Sequence, residues 1–308
     1  MPSTQSRLLP GLTAATFTAF HNDGTLEMEG VERQAEALLR NGVTSVFVNG
    51  STGESHSLSL EERKVLTRRW CEVAKGTPLR VVAHVGSNCL VDARELAADA
   101  ERAGVTAIAA LAPSYFKPRT VGVLVDCMAQ VAGGAPGTPF YFYDIPGLTG
   151  VSLSMTEFLG LAASRIPMLR GLKFTNPDLM AFQECLRADG RRWELLWGCD
   201  EILLAAASLG AEGAVGSTYN FAAPVYLRLL DQLRRGEMDA ARSEQYRSVQ
   251  MVRVLLDVGF LGAAKALMGM LGVPVGPPRL PWPPLEAERV ERLRGNLEAI
   301  GFFDWGRA

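Results

Sequence analysis

One lysine, Lys173, lies near the end of a short apolar stretch that spans residues 168–175. A charged ammonium group is costly to bury, so a lysine inside a sheet or barrel has a lowered pKa. The neutral amine that results can attack a carbonyl carbon. The alternative is a lysine whose side chain extends from the strand end into solvent. For a lone lysine the solvent-exposed arrangement is the more common one. Other residues must therefore decide whether Lys173 is a buried, reactive amine.

A hydroxyl-bearing turn offers a group that suits the same chemistry. Ser51 and Thr52 stand between Gly50 and Gly53, so two hydroxyls and several free backbone N–H groups share one turn. Such a turn can bind a carboxylate without a charged partner. The alternative is an ordinary loop that caps the next helix. No lysine follows the turn, so it is not a Walker phosphate loop.

A tyrosine, Tyr143, ends a third apolar stretch. A phenol near an amine can relay protons while an imine forms and a carbon–carbon bond breaks. Tyr141 points the same way in a strand, because side chains alternate between the two faces. Either residue has the alternative of a core tyrosine with a satisfied hydroxyl. The position nearest the strand end favours Tyr143.

Acidic and hydroxyl residues follow two later strands. Asp200 and Glu201 are a metal pair, a pair that binds sugar hydroxyls, or, for Asp200, the N-cap of the next helix. No histidine stands nearby, which argues against a metal and leaves the other two readings open. Ser217 and Thr218 follow the last strand and offer further hydroxyl contacts. His84 lies inside an apolar strand and is interpreted as a core histidine.

Composition excludes several classes of function. The 308 residues include 31 basic and 33 acidic side chains, a balance that suits neither nucleic acid nor an acidic membrane. The five cysteines form no C-x-x-C pair and the three histidines no H-x-x-x-H pair, which argues against a zinc site and for reduced thiols. No apolar run approaches the roughly 20 residues that span a bilayer. We therefore expect a cytoplasmic protein with no metal, nucleic-acid or membrane partner.

Apolar segments alternate with amphipathic ones along most of the chain. We predict strands over residues 12–20, 45–48, 79–85, 106–111, 140–143, 169–174, 194–197 and 213–215. We predict helices over residues 28–39, 60–74, 91–103, 121–131, 155–163, 179–187, 202–209 and 226–235. Eight such units predict an α/β fold with a parallel sheet closed into a (β/α)8 TIM barrel. An open doubly wound sheet is the alternative, but its G-x-G-x-x-G fingerprint is absent from the first turn.

The alternation stops after Gly236. Helices are predicted over 238–258, 263–270 and 285–299, with a proline-rich loop over 272–281. We predict a barrel over residues 8–236 and a C-terminal helical extension over residues 237–308 packed on it. The apolar residues of 251–256 and 263–270 are interpreted as packing residues. Active sites of barrels lie at the C-terminal strand ends, and every polar motif described above falls there.

Together these motifs resemble the pyruvate-dependent class I aldolases, the family that contains N-acetylneuraminate lyase and dihydrodipicolinate synthase. The resemblance covers residues 12–281. It rests on three stretches, namely the turn 50–54, the strand end 143–146 and the lysine strand 171–175. Within the family, the animal-type N-acetylneuraminate lyase branch is the most similar one. Four stretches fit that branch, namely residues 49–55, 197–201, 216–220 and 276–281.

The resemblance implies a role for each site residue. Lys173 forms an imine with the pyruvate part of the substrate, Tyr143 shuttles the proton, and Ser51 with Thr52 holds the carboxylate. The hydroxylated tail of the sugar acid is bound by Thr175, Gly198, Asp200, Glu201 and Ser217. The implied reaction is reversible cleavage of N-acetylneuraminate, a sialic acid, to N-acetylmannosamine and pyruvate. The resemblance also implies a homotetramer that needs no cofactor beyond the lysine imine.

Two details separate the branches of the family. Dihydrodipicolinate synthases usually carry Thr-Thr in place of Ser51-Thr52. They also carry an arginine in the segment that corresponds to residues 146–150, and this chain has no arginine there. Asp144 stands where the family often has asparagine, which leaves the preferred sugar acid open. The alternatives are a dihydrodipicolinate synthase-like enzyme, another 2-keto-3-deoxy sugar acid aldolase or dehydratase, and a non-catalytic keto-acid-binding paralogue. Intact Lys173 and Tyr143 argue against the paralogue.

Overall fold

Eight parallel strands close into a barrel in the computed structural model, which describes residues 7–305. Each strand pairs with the next along the chain, and the eighth pairs with the first. The strands are β1 Gly11–Ala15, β2 Ser45–Val48, β3 Arg80–His84, β4 Ala107–Leu111, β5 Phe140–Asp144, β6 Leu169–Phe174, β7 Glu194–Trp197 and β8 Gly213–Gly216. They are buried on both faces because helices cover the outside of the ring. The predicted (β/α)8 barrel is confirmed.

Helices follow the strands, and local signals in the sequence set their ends. The helices are α1 Glu29–Arg40, α2 Leu60–Ala74, α3 Leu90–Ala103, α4 Val121–Ala132, α5 Pro146–Thr149, α6 Met155–Ala162, α7 Leu179–Arg187, α8 Leu203–Ser208, α9 Tyr219–Arg234, α10 Met238–Val258, α11 Phe260–Met270, α12 Ala287–Ala299 and α13 Phe302–Trp305. Helix α2 begins at a capping box, in which the side chains of Ser59 and Glu62 each accept a hydrogen bond from the other residue's backbone N–H. Helix α3 ends at Gly104, whose φ of 81° favours glycine.

The apolar core has two layers. The outer layer fills the space between the sheet and the helices. The inner layer fills the barrel itself, and its large residues include Phe47, Leu111, Tyr141, Tyr143 and Leu196. The barrel is therefore a packed core rather than a pore, and a polar side chain at its upper end rests on an apolar floor.

The C-terminal helices α10 to α13 continue the outer layer. Their buried apolar residues, such as Leu255 and Leu293, belong to the same core cluster as the barrel helices. The turn between α9 and α10 contains Gly236, whose φ of 77° is left-handed. The predicted division at residue 236 falls in this turn and stays a prediction as a domain boundary.

Several predicted bounds were wrong for physical reasons. Helix α9 begins at Tyr219 rather than at residue 226, because a kink at Ala222 lets the helix accept Pro224 in its interior. Strand β1 ends at Ala15, and the chain leaves the sheet before residue 20. Helix α11 begins at Phe260 instead of residue 263. Across residues 7–305, no helix has both the length and the apolar character needed to cross a membrane.

Candidate active site

Lys173 lies inside the barrel at the C-terminal end of β6. Its side chain is 3% exposed, and Nζ lies 3.7 Å from the ring centroid of Tyr143 and 3.9 Å from that of Phe47. Burial lowers the pKa of Lys173 to about 7, and the nearby Asp200 carboxylate opposes this shift. A large fraction of the amine is therefore neutral near pH 7 and able to act as a nucleophile.

The strand sequence explains why this lysine points inward. Leu172 and Phe174 belong to the outer core layer, so Lys173 between them faces the barrel interior. Gly171 lets the strand approach β7 closely, since a Cβ there would lie 1.8 Å from the carbonyl oxygen of Glu194. The sheet register pairs Lys173 with Tyr143 on β5. The amine and the phenol are therefore neighbours by strand pairing.

Tyr143 contributes a phenol that keeps its proton. Its hydroxyl lies 3.4 Å from Ser51 Oγ, and the rings of Phe47 and His84 pack edge-on against it. Burial raises the pKa of Tyr143 to about 12, with the Ser51 hydroxyl acting in the other direction. Tyr141 is also buried but lines no part of the cavity beside Lys173, so the choice of Tyr143 agrees with the geometry.

The hydroxyl-bearing turn comes directly after β2. Both of its glycines lie in close contacts. A Cβ on Gly50 would lie 2.8 Å from the Phe47 ring, and one on Gly53 would lie in a tight contact 3.1 Å from a backbone carbonyl oxygen. Ser51 and Thr52 line the same cavity as Lys173. The reading of the turn as a helix cap is wrong, because Ser59 caps the next α-helix. The turn is thus free to bind a ligand.

Asp200 is buried and lines the same cavity as the turn. Its Oδ2 accepts hydrogen bonds from Thr218 N at 2.9 Å and Thr218 Oγ1 at 2.6 Å. The alternative of an N-cap is wrong, because the carboxylate binds Thr218 rather than the helix that follows it. Burial raises the pKa of Asp200 to about 6, and the hydrogen bonds from Thr218 oppose the rise.

A chain of hydroxyls fixes Asp200 from behind. Thr218 Oγ1 lies 2.6 Å from Tyr226 OH, which lies 2.8 Å from Ser248 Oγ on α10. Thr218 has one hydroxyl proton, and it donates this proton to the ionised Asp200 carboxylate. Tyr226 is therefore the donor in its hydrogen bond with Thr218 Oγ1. In the same order Ser248 donates to Tyr226. The orientation of Asp200 therefore depends on α9 and on the C-terminal extension.

All nine residues predicted for the site line one cavity of about 280 Å³ at the C-terminal ends of the strands. They are Ser51, Thr52, Tyr143, Lys173, Thr175, Gly198, Asp200, Glu201 and Ser217. Gly198 is needed because a Cβ there would lie 2.0 Å from Thr175 Oγ1. The Ser51 hydroxyl lies beside the Tyr143 phenol, and the Asp200 carboxylate is near enough to Lys173 to raise its pKa. This arrangement suits a keto acid with a hydroxylated tail.

Three residues of the C-terminal extension also line the cavity, and the sequence interpretation missed them. Val252 and Leu256 on α10 and Phe260 at the start of α11 form an apolar wall. The interpretation of residues 251–256 as packing residues was therefore incomplete. The amphipathic pattern of α10 gives no signal for this role, because cavity-facing and core-facing apolar residues look alike in sequence.

Asp144 does not line the cavity. It follows the inward-facing Tyr143, so it faces the helices outside the barrel. Burial raises the pKa of Asp144 to about 6. The departure from asparagine at this position thus gives Asp144 no contact with a ligand in the cavity. His84 is buried as predicted, and its Nδ1 lies 3.0 Å from the carbonyl oxygen of Asn49.

Metal ligands are not grouped in the described part of the chain. Residues 7–305 contain no cluster of three or more His, Cys, Asp or Glu side chains that could hold a metal ion. The five cysteines, all within this range, are unpaired. The expectation of no metal and no organic cofactor stays a prediction.

Comparisons with known proteins agree with the motifs. Residues 8–300 match the model of the "Dihydrodipicolinate synthetase family". N-acetylneuraminate lyase from Rattus norvegicus is 36% identical over 96% of this chain and 94% of its own length, and the protein of that name from Gallus gallus is 36% identical over 96% and 98%. The solved structure of Proteus mirabilis N-acetylneuraminate lyase superposes with a TM-score of 0.93 at 37% identity, covering 96% and 99% of the two chains. The chain therefore belongs to the dihydrodipicolinate synthetase family.

Proposed function

We propose that this protein is a Schiff-base aldolase that cleaves N-acetylneuraminate reversibly to N-acetylmannosamine and pyruvate. One observation carries the proposal. A buried lysine with a pKa of about 7 shares a cavity with a carboxylate-binding turn and a phenol. A keto acid with its carboxylate on Ser51 and Thr52 presents its carbonyl carbon to Lys173. The similarity to N-acetylneuraminate lyases over nearly the whole chain supports the choice of substrate.

The covalent steps follow from the neutral amine. Lys173 attacks the C2 carbonyl of the open-chain sugar acid, and loss of water gives a protonated imine. When the C3–C4 bond breaks, its electron pair moves to the imine nitrogen and forms an enamine. C4 becomes the aldehyde carbon of N-acetylmannosamine. Protonation of the enamine at C3 and addition of water then release pyruvate and restore the amine.

Tyr143 handles the proton of the C4 hydroxyl. A phenol with a pKa of about 12 carries its proton near pH 7, so it does not act as a free anionic base. It acts as a relay, accepting the C4 hydroxyl proton while passing its own proton to the substrate carboxylate. Its hydrogen-bond distance to Ser51 supports this role, because Ser51 belongs to the turn that holds the carboxylate.

The remaining polar groups of the cavity suit the hydroxylated tail. We assign Thr175, Gly198, Asp200, Glu201 and Ser217 to this part of the substrate. Carboxylates accept hydrogen bonds from sugar hydroxyls, and the hydroxyl of Ser217 both donates and accepts. Asp200 is held in place by Thr218, so little of its freedom is lost when it binds a ligand.

Two other activities compete with this proposal. A dihydrodipicolinate synthase-like enzyme needs a cation for a second carboxylate, and the segment after β5 has Leu148 and no arginine. An aldolase or dehydratase for another 2-keto-3-deoxy sugar acid uses the same lysine and turn. A keto-acid-binding paralogue without turnover would bind pyruvate and release none.

We propose a homotetramer in the cytoplasm as the working form. Tyr115 and Phe116 are 77% and 86% exposed and pack edge-to-face, which supports burial against another copy of the chain. Sedimentation measures the assembly directly. A single species at the mass of one chain would contradict it.

The activity is tested by measuring pyruvate release from a panel of sialic acids and 2-keto-3-deoxy sugar acids. We expect N-acetylneuraminate to give the highest kcat/KM in the panel. A higher value for a shorter sugar acid would move the assignment to the second activity. Pyruvate binding with no release from any member would establish the paralogue.

A further inference from the structure

The carboxylate-binding turn is attached to the C-terminal extension through Glu54. This residue ends the turn, in a left-handed conformation with φ 61°. Both of its buried carboxylate oxygens are occupied by groups from the extension. Lys265 Nζ donates to Oε1 at 2.7 Å, and the backbone N–H of Arg279 donates to Oε2 at 2.7 Å. We call Glu54, Lys265 and Arg279 the C-terminal anchor.

Lys265 is held on all sides. Its side chain is 1% exposed, and Nζ also donates to the carbonyl oxygen of Pro277 at 2.9 Å. The ring of Phe20 lies 4.5 Å from Nζ. These contacts fill the space around the ammonium group, so Lys265 offers no free amine and no route for a ligand. Its role is to hold Glu54.

Arg279 connects the same point to two further loops. Its guanidinium donates to the carbonyl oxygens of Ser57 and Gly24 and to the Glu62 carboxylate. The Phe20 ring packs 4.3 Å from its central carbon. Charge-assisted contacts of this kind are stronger and more directional than neutral ones. The proline-rich loop therefore holds Glu54 and the segment that follows it, and connects both to the loop at Gly24.

Glu54 in turn closes the carboxylate-binding turn. Its backbone N–H donates to the carbonyl oxygen of Ser51 at 3.1 Å, and the N–H of Ser55 donates to that of Gly50 at 3.2 Å. A displacement of Glu54 therefore moves Ser51, whose hydroxyl faces Tyr143. Binding groups displaced by about 1 Å lose much of their effect.

We propose that Lys265 and Arg279 are positioning residues for the aldolase reaction. Acting through Glu54, they set the geometry of the turn that binds the carboxylate of the keto acid. The proposal rests on the proposed function only in that Ser51 and Thr52 hold a carboxylate. The C-terminal extension is thus part of the active-site machinery, although residues 265 and 279 touch no substrate.

The test uses borohydride trapping of pyruvate in the full-length protein, because trapping needs the carboxylate turn and Lys173 but no sugar tail. The informative variant is the double substitution Glu54→Gln with Lys265→Met. It removes both charges of the pair, and replacing a whole buried ion pair is tolerated far better than breaking it. Trapping is followed against pyruvate concentration, with folding checked by circular dichroism and thermal melting. Lys64→Met, which removes a lysine paired on outer helices, is the matched control.

We expect the double variant to fold and to need at least about tenfold more pyruvate for half-maximal trapping, the effect of one lost charge-assisted contact. The amount trapped at saturation should equal that of the parent, because Lys173 is untouched. A merely structural role would lower the melting temperature and leave half-saturation unchanged. A folded double variant that half-saturates like the parent and like Lys64→Met overturns the proposal. Failure of the sialic acid assay alone would instead reject the proposed substrate.

Discussion

Lys173 on β6 and Lys265 on α11 are equally buried and have different surroundings. Lys173 faces aromatic rings and has no carboxylate within ion-pair distance among the described residues. Lys265 is paired with Glu54 at 2.7 Å. Burial lowers the pKa of both lysines, and a carboxylate opposes this effect at each one. Asp200 acts on Lys173 without a direct contact, whereas Glu54 acts on Lys265 through a hydrogen-bonded ion pair.

The difference shows that burial alone does not make a lysine reactive. A buried amine without a partner loses its proton and becomes a nucleophile. A buried ammonium with a carboxylate partner keeps a structural role, because separating the pair exposes two charges to an apolar environment. The partner therefore decides the role, and substitutions at the two lysines should act in opposite directions.

The largest effect is expected for Lys173→Met. Loss of the covalent nucleophile should lower kcat by on the order of 10⁴-fold or more. The same substitution should stabilise the protein near pH 7 by roughly 3–5 kcal/mol, because it removes a lysine whose proton is lost on folding. Activity assays and denaturant unfolding measure the two effects. A destabilised variant would mean that Lys173 has an unrecognised ionic partner.

The stabilisation should depend on pH with a defined sign. The pKa of Lys173 is about 7 in the folded protein against 10.5 for an ordinary lysine. Between these values the unfolded chain binds more protons, so the parent gains stability as pH rises. The advantage of Lys173→Met should thus grow as pH falls from about 10.5 to about 7, and stay constant below that.

Lys265→Met alone should have the opposite effect on stability. It leaves Glu54 buried and unpaired, which should destabilise the protein by about 3–5 kcal/mol. Thermal melting and urea unfolding of the two Met variants side by side provide the comparison. Equal and opposite shifts are not required, but a stabilised Lys265→Met variant would contradict the contrast drawn between the two lysines.

Tyr143→Phe should separate imine formation from bond cleavage. Removing the proton relay should lower kcat for cleavage by about 10²–10⁴-fold, the range for general acid–base groups. Lys173 remains, so borohydride should still trap pyruvate on the enzyme. Loss of trapping together with cleavage, in a folded variant, would show that the phenol acts earlier than bond cleavage.

A smaller effect is expected from Asp200→Asn on the pH dependence of trapping. In the parent the trapping rate should rise with pH, with its midpoint near pH 7, and level off above that as Lys173 loses its proton. The Asp200 carboxylate raises the pKa of Lys173, so its removal should shift this rise to lower pH. Pyruvate has no sugar tail, so the measurement is independent of tail binding. A shift to higher pH would contradict the assigned electrostatics.

The smallest effect on specificity is expected for Asp144→Asn. The carboxylate lies outside the cavity, so the ratio of kcat/KM among sugar acids should stay within about twofold. Burial raises the pKa of Asp144 to about 6, so between pH 4 and 6 the folded protein binds this proton more tightly than the unfolded chain does. The parent therefore loses stability as the pH rises from about 4 to about 6. Asp144→Asn should recover that stability above pH 6. A changed substrate ratio would mean that Asp144 acts through the strand.

The sequence predicted the barrel because each strand and helix carries its own local signal. It also predicted seven residues that line the cavity, since the C-terminal ends of parallel strands meet at one face of a barrel. Tyr143 and Lys173 stand near the C-terminal ends of consecutive predicted strands, and this was sufficient to predict that they lie close together. The resemblance to a known family added Thr175 and Gly198, which have no chemical signal of their own.

What the sequence did not predict depends on contacts between distant residues. Glu54 and Lys265 are 211 positions apart, and no local pattern connects them. The hydrogen bonds from Thr218 to Asp200 depend on how β7 and β8 pair. The contribution of Val252 and Phe260 to the cavity depends on where the extension packs on the barrel. Each of these is a packing result, which periodicity alone does not determine.

Peptide mapping of the borohydride adduct shows which lysine of the protein is the reactive amine. The full-length protein is treated with pyruvate and borohydride at pH 7.5, digested, and examined by mass spectrometry at every lysine. We predict one adduct per chain, on the peptide that contains Lys173, and none on the peptide that contains Lys265. An adduct on Lys265, or an equal distribution over several lysines, would contradict the claim that the missing carboxylate partner makes Lys173 the reactive amine.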